Sequence, residues 1–388
     1  LSVCVTSCVK WASSTNLFVK VLSQKAGSKL EPRLLIGSCK MNSFYFYDLE
    51  TSGFNPRSAR IMQFGGQRTD MDLKPLGKPH NFYIKLTEDI LPDPEAILVT
   101  GITPQKTRAE GISEAEFLKI FTEEIATPDT IFTGFNTVRF DDEFMRYLHY
   151  RNFYDPYEWQ WQNGRSRWDL LDVVRMTRAL RPEGIEWAYD SDGKPSNRLG
   201  LLTTVNNLAH ENMHDAVCDV NASIAVARLV QTKQPKLFEF LLSMRRKEKI
   251  AELVKSGEPF VYTSGKYPSE YHKTTVAVML TENPKRQGVI VYDLRHDPSP
   301  FLSLSPTELA DAWRWQAEPK SPRLPIKALQ FNRCAAVAPL GVLGRGDAGQ
   351  RLAIDLKTMQ GHRQKLQNKA FIDNVLEALN ILDTEQQT

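Results

Sequence analysis

The apolar positions of this chain follow two different rhythms. Between residues 43 and about 230, short apolar runs of strand character alternate with stretches whose apolar residues recur every three or four positions. The run Phe44-Tyr45-Phe46-Tyr47 opens a strand predicted over 43–48. Further strands are predicted over 60–69, weakened by Gly65-Gly66, over 80–86, and over the short buried stretch 130–136. Helical spacing predicts helices over 113–125, 141–152, 169–180 and 215–232. Ser113 is placed to cap the first, with Glu116 three residues on. The second opens on acids, which suits the positive end of a helix dipole. Pro182 and Gly184 close the third. This alternation predicts an α/β domain. Pro235 marks a boundary, and a helical stretch rich in Lys and Arg follows over 236–255. The runs EPFVYTSG, TTVAVML, GVIVYDL and AAVAPLG are then short, partly alternating and divided by Pro, Gly and Asn, as in a small β barrel or open sheet. Residues 363–383 are helical again.

Composition narrows the class. The chain has 388 residues, enough for two domains, and is 41% hydrophobic and 24% charged. No run approaches the roughly 18 apolar residues of a membrane span. The five cysteines (Cys4, Cys8, Cys39, Cys218 and Cys334) are odd in number, sparse and without a CxxC pair. That pattern predicts a reducing compartment, the cytoplasm, with neither a disulfide framework nor a zinc site. The formal charge of +3 misleads, because residues 1–40 hold six basic side chains and one acid. The remainder carries 43 basic against 45 acidic residues, so any nucleic-acid surface has to be local. Residues 1–42 read as an extension upstream of a natural start at Met41, with a basic, Ser-rich targeting segment as the other reading.

Asp48 and Glu50 carry the first chemistry. Two residues apart on a strand, they point to one face, where two carboxylates repel unless a cation lies between them. A solvated strand end explains a lone pair equally well. Asp141 opens a helix after the polar loop of "GFNTVRFDDEF", where capping alone is a sufficient explanation. His214 and Asp219 would not share a face of one continuous helix, but they converge if His214 lies in the loop before it. Asp219 sits among Ala216, Val217, Val220, Ala222 and Ile224, where an unpaired carboxylate is costly.

Taken in order, Asp48, Glu50, Asp141, His214 and Asp219 resemble the pattern of the DEDDh family of 3′→5′ exonucleases and their ribonuclease-H-like fold. The match is closer to the exonuclease I branch, through "LVTGITPQ" (98–105), "VRFDDE" (138–143), "YRNFYDPY" (150–157), "SRWDLLDV" (166–173), "ALRPEGI" (179–185) and "HDAVCDV" (214–220). Leu49 departs from the aromatic residue the family commonly places between the first two acids. The resemblance implies an exonuclease domain over 43–234, a mixed sheet flanked by helices, and an SH3-like β-rich domain with a terminal helix over 235–388. In the family a further helical domain follows. It is expected to be absent here, and the apolar face of "FIDNVLEALNIL" is expected either to lack that segment as its partner or to dock onto the β domain itself.

The resemblance also implies roles. Asp48 would bridge two Mg²⁺ ions, with Mn²⁺ able to substitute. Glu50 and Asp219 would complete the tighter site, Asp141 rather than Asp142 would hold the second ion, and His214 would take a proton from the attacking water. The substrate would be single-stranded DNA, degraded to 5′-mononucleotides in repair and recombination by a monomer. Residues 139–181 interleave eight arginines with aromatic residues, as a single strand requires. Of these, Trp168 is expected in the core and Arg178 on a solvated helix face. The family pattern places DNA contacts at Thr51, Arg146, Tyr157, Trp161 and Arg198. It places one basic contact for the tail of single-strand DNA-binding protein at Arg181, while Phe240 lacks the hydroxyl expected beside it. The alternatives are an exoribonuclease trimming RNA 3′ ends and a non-catalytic single-strand-binding module.

Overall fold

The computed structural model describes residues 42–209, 215–314 and 322–385; the extension expected over 1–42 and His214 lie outside these apart from Asn42. Strand β1 (Ser43–Thr51) is the middle of a five-stranded mixed sheet. It pairs antiparallel with β2 (Ile61–Thr69), which pairs antiparallel with β3 (His80–Tyr83). On its other side it runs parallel to β4 (Thr130–Gly134), which runs parallel to β5 (Ser166–Asp169). The aromatic run of β1 is unbroken because both faces are covered. Phe44 and Phe46 join one core cluster, and Tyr45, Tyr47 and Leu49 join another. The strand continues past the expected end at residue 48, since β2 keeps pairing with it as far as Thr51.

The helices of this part are α1 (Pro94–Thr100), α2 (Pro104–Glu110), α3 (Glu114–Ile120), α4 (Asp141–Arg151), α5 (Leu170–Leu180), α6 (Leu199–Val205) and α7 (Ala216–Lys233). Of these, α3 and α4 share a core cluster with Tyr45, Tyr47 and Leu49, and α5 and α7 one with Phe44 and Phe46, so both faces are covered. The capping box between Ser113 and Glu116 is present, but the expected 113–125 helix gives way after Ile120 to a wider turn over Phe121–Ile125. That turn keeps Phe121 and Ile125 buried beside Phe117 and Leu118. Gly65 and Gly66, read as a weakness in β2, are points of close approach. A Cβ on Gly65 would lie 2.5 Å from the Ala216 carbonyl carbon, and one on Gly66 would lie 2.3 Å from the Tyr45 hydroxyl. The sheet thus admits the first turn of α7 at backbone distance.

Only Gln234 separates α7 from α8 (Pro235–Ser243), and α9 (Lys247–Val254) follows. Phe238 of α8 meets Trp168 of β5 edge-on, with ring centres 5.0 Å apart. Trp168 is therefore a core residue, as expected. The remaining strands form an open antiparallel sheet, in the order β10-β6-β7-β8-β9. They are β6 (Phe260–Thr263), β7 (Thr274–Glu282), β8 (Gly288–Asp293), β9 (Ile326–Gln330) and β10 (Ala336–Pro339). Helix α10 (Pro306–Trp313) precedes β9; α11 (Ala348–Arg351), α12 (Leu356–Lys365) and α13 (Lys369–Glu385) end the described chain. Of the two readings of the apolar face of α13, docking within its own domain holds: α13 packs against α10, and Phe371, Val375, Ala378 and Leu379 share a core cluster with Leu309 and Ala310.

Candidate active site

β1 presents Asp48 and Glu50 on the same face as Phe44 and Phe46. Opposite them, α7 begins at Asp215, whose side chain accepts the Cys218 N–H at 3.1 Å and so caps the helix. Gln63, directly across from Glu50 on β2, donates to Asp215 Oδ2 at 3.0 Å and fixes the start of α7 over the sheet. Asp219 follows one turn into the helix, its N–H bonded to the Asp215 carbonyl. Oxygens of Asp48, Glu50 and Asp219 then lie within 4.8 Å of one another. Burial holds the Asp48 carboxyl well above the usual carboxylate range, and Asp141, Asp219, Glu50 and Asp215 raise it further. Burial, followed by the charges of Asp219 and Asp215, pushes Glu50 up to about 8. Among the described residues, the groups that act on these two acids include no cation. Mutually repelling, water-poor oxygen donors at this spacing fit a hard divalent ion, which would relieve the repulsion.

Asp141 and Asp142 separate clearly. The Asp142 carboxylate accepts the Tyr47 hydroxyl at 2.5 Å and is paired with the buried Arg167 guanidinium. It is a structural ion. Asp141 accepts the Leu49 N–H at 3.1 Å and lies close enough to Asp48 to raise its proton affinity. It stands at the flank of the three-acid cluster rather than within it.

The five expected DNA contacts divide. Tyr157 and Trp161 are 56% and 64% exposed, and Arg198 is exposed at the start of α6. Arg146 is buried: it pairs with Glu143 at 2.6 Å, donates to Gln160, and braces the Tyr157 ring from 5.4 Å. Thr51 is buried too, with its hydroxyl donating to the Gly53 carbonyl at 2.8 Å. Arg181 is half-buried and reaches the carbonyls of Val342 and Arg345, at 2.9 and 3.3 Å, so it ties α5 to the 340–345 turn. Arg178 is a correction. It is not on a solvated face but fully buried, donating to the Ser196 carbonyl at 2.7 Å, because the chain after α5 folds back over it.

Sequence reasoning missed a cationic cleft of about 440 Å³ lined by Arg139, Arg175, Lys266, Arg286, Lys327 and Arg333. Asp172 ties Arg139 to Arg175, the latter at 2.8 Å. Burial brings the Lys327 ammonium down to about 7, between the rings of Tyr262 and Tyr267 at 4.8 and 4.7 Å. Arg139 and Arg175 belong to the basic run of 139–181, but Lys266, Arg286, Lys327 and Arg333 arrive from the second sheet and the turns around it, which no local pattern ties to them.

A ribonuclease-H-like mixed sheet carrying this acid cluster defines a nuclease of the exonuclease superfamily. The exonuclease family model matches residues 45–227, and the exonuclease I SH3-like domain model matches residues 245–380. The exodeoxyribonuclease I of Haemophilus influenzae is 44% identical over 89% of this chain and 74% of its own. Exonuclease I from Methylocaldum szegediense superposes with a TM-score of 0.83 at 44% identity, over 87% of this chain and 73% of that one. The zinc-bound complex of Escherichia coli exonuclease I with single-stranded DNA gives 0.83 at 39% identity, over the same shares. A structure of SSB/exonuclease I with the inhibitor CFAM gives 0.81 at 39% identity, over 87% and 74%. The chain belongs to the exodeoxyribonuclease I family.

Proposed function

We propose that the chain hydrolyses single-stranded DNA from its 3′ end to 5′-mononucleotides, in DNA repair and recombination, with Mg²⁺ as its cytoplasmic metal and Mn²⁺ able to replace it. The convergence of Asp48, Glu50 and Asp219 in a member of this family carries the reading. Cations held there would supply the charge that stabilises the attacking and leaving oxygens of an in-line displacement. Asp48, on the central strand, would serve both ions; Glu50 and Asp219 would complete the tighter position, and Asp141 would hold the other. His214 accepts the proton of the attacking water, a role its ordinary pKa near 6.5 suits. Tyr157 and Trp161 offer open faces to bases, and Arg198 an open charge to a phosphate. Arg146 acts through Tyr157, which it braces, and Thr51 by shaping the turn after Glu50. Binding of the SSB/exonuclease I kind supports the acidic tail of single-strand DNA-binding protein as a partner, with Arg181 as one basic contact for it.

The test uses 5′-labelled and 3′-labelled single-stranded DNA and RNA, with Mg²⁺ or with chelator. Progressive shortening of 5′-labelled DNA in Mg²⁺ alone is expected. Faster trimming of RNA would replace the reading with an exoribonuclease, and no cleavage of either would leave a binding module.

A further inference from the structure

Two arginines far apart in the chain meet on one oxygen of Glu143, in the first turn of α4. Arg146 Nη1 lies 2.6 Å from Glu143 Oε1, and Arg333 Nη2 lies 3.0 Å from the same atom. Arg146 is buried, and its other arm, Nη2, donates to the Gln160 side chain at 3.2 Å. Its Nε is buried without a hydrogen-bond partner, and the Asp142 carboxylate stands further off, at 3.9 Å. The guanidinium lies 5.4 Å from the Tyr157 ring. Gln160 directly precedes Trp161, and its N–H bonds to the Tyr157 carbonyl at 3.0 Å. Arg146 therefore holds the short segment that carries both open rings, and Glu143 holds Arg146. Arg333 comes from the second sheet, in the turn between β9 and β10. That turn is fastened to β5 on either side of Arg333. The Asn332 carbonyl accepts Arg167 Nη2 at 2.5 Å, and the Cys334 thiol donates to the Arg167 carbonyl at 3.3 Å. Cys334 sits in the left-handed region at φ 50°, a conformation that side chains other than glycine adopt at a cost. Arg333 also reaches the Val138 carbonyl at 3.4 Å and the Gln330 side chain at 3.2 Å.

We infer that Glu143 is a positioning residue for strand binding: it fixes Arg146 against Tyr157, and Arg333 fixes Glu143 in turn, so that the second sheet sets the aromatic face on which bases stack. The inference rests on Tyr157 and Trp161 as strand contacts in the proposed function. Guanidinium–carboxylate bonds are charge-assisted and directional, which suits them to hold a side chain in one orientation. An exposed ring has to be ordered when a base stacks on it, and a ring already held in place loses less freedom in doing so. Glu143 itself would touch neither the strand nor the metal. Arg333 lines the cationic cleft, so its charge faces the strand's phosphates as well as Glu143. The two roles have to be separated by experiment.

The sign of the Glu143→Ala effect distinguishes positioning from plain charge. Removing an acid beside a cationic cleft should, by charge alone, tighten the binding of a polyanion. Positioning predicts the opposite. Affinity of the full chain for a labelled oligothymidylate, read by fluorescence anisotropy in chelator at fixed salt, should weaken about tenfold, within the loss caused by removing one stacked base. In Mg²⁺, KM should rise while kcat and the Mg²⁺ requirement are kept. Glu143→Gln keeps an acceptor oxygen without its charge and should fall between Glu143→Ala and the parent. Arg333→Gln should weaken binding in the parent but add little to Glu143→Ala, because both break one route. If Glu143→Ala does not fold, Arg333→Lys decides: it keeps the charge but not the fork that reaches Glu143 and Val138 together, and it should bind as weakly as Arg333→Gln. Parent affinity in Arg333→Lys would then overturn the inference. Unchanged or tighter binding by Glu143→Ala, beside a weakened Tyr157→Ala, would overturn the positioning role alone. Parent affinity in Tyr157→Ala would overturn the strand contact beneath it, and the inference with it. Fully additive losses in the double variant would give Arg333 to the phosphates and remove the second sheet from the route.

Discussion

Gly65→Ala is expected to disable the site without touching a carboxylate. The added Cβ would lie 2.5 Å from the Ala216 carbonyl carbon, 2.6 Å from its oxygen and 2.7 Å from the Val217 nitrogen. Ordinary contact begins near 3.4 Å, so the start of α7 has to retreat by the difference from 2.5 Å, about 0.9 Å. The colliding atoms are all backbone, and no side-chain rotation relieves them. Asp219 rides on the same turn, so its oxygen draws away from Asp48 and Glu50. Misplacement by about 1 Å costs on the order of 10²-fold in rate, and overpacking of this kind costs about 1–3 kcal/mol of stability. The assay is the rate of single-strand shortening across a Mg²⁺ titration, with thermal melting in parallel. Gly341→Ala, whose Cβ would meet nothing within 4 Å, is the control. A folded Gly65→Ala enzyme with the parent's rate and Mg²⁺ requirement would refute the close-approach reasoning.

Other expectations follow from the same geometry. Asp142→Asn strands the buried Arg167 and should cost about 3–5 kcal/mol in chemical denaturation, whereas Asp141→Asn removes a charge that repels Asp48 and should keep the fold while losing cleavage. In chelator, folded Glu50 holds its proton up to about 8 where the unfolded chain releases it near 4.5. The folded state therefore binds the extra proton between those values, and melting temperature should fall as pH rises through that window. Mg²⁺ should flatten that slope; a parent whose stability, measured relative to Glu50→Gln in chelator, instead climbs with pH through that window would reverse the assignment. Tyr157→Ala and Trp161→Ala should each weaken single-strand affinity by about 1–3 kcal/mol, read by fluorescence anisotropy, with little change in melting because both rings are exposed.

Local rules made parts of this molecule legible. The period of two put Asp48 and Glu50 on one face, and Ser113 with Glu116 announced its helix in four residues. What stayed hidden depended on distant partners. Gly65 and Gly66 look like a flaw in a strand until α7 and Tyr45 arrive against them. β5 reads as polar because Arg167 and Asp169 occupy it, and their charges are met by Asp142 and Arg139 from another segment. Lys327 obscures β9 in the same way until Tyr262 and Tyr267 enclose it. α1 buries none of its side chains, so it has no apolar face to display. Arg178 has the composition of a surface residue and the position of a core one, a distinction only the fold-back of 182–198 decides.

The central claim is that Asp48, Glu50 and Asp219 hold the metal that cleavage needs. Mn²⁺ binding, followed by calorimetry on the same preparations whose cleavage rates are measured, tests it most directly. The parent should bind Mn²⁺ with a rate that tracks occupancy, and Asp48→Ala should lose both while melting no lower in chelator, because a buried, repelled carboxylate is gone. Hydrolysis by Asp48→Ala at the parent's rate, in Mn²⁺ or Mg²⁺, would contradict the account.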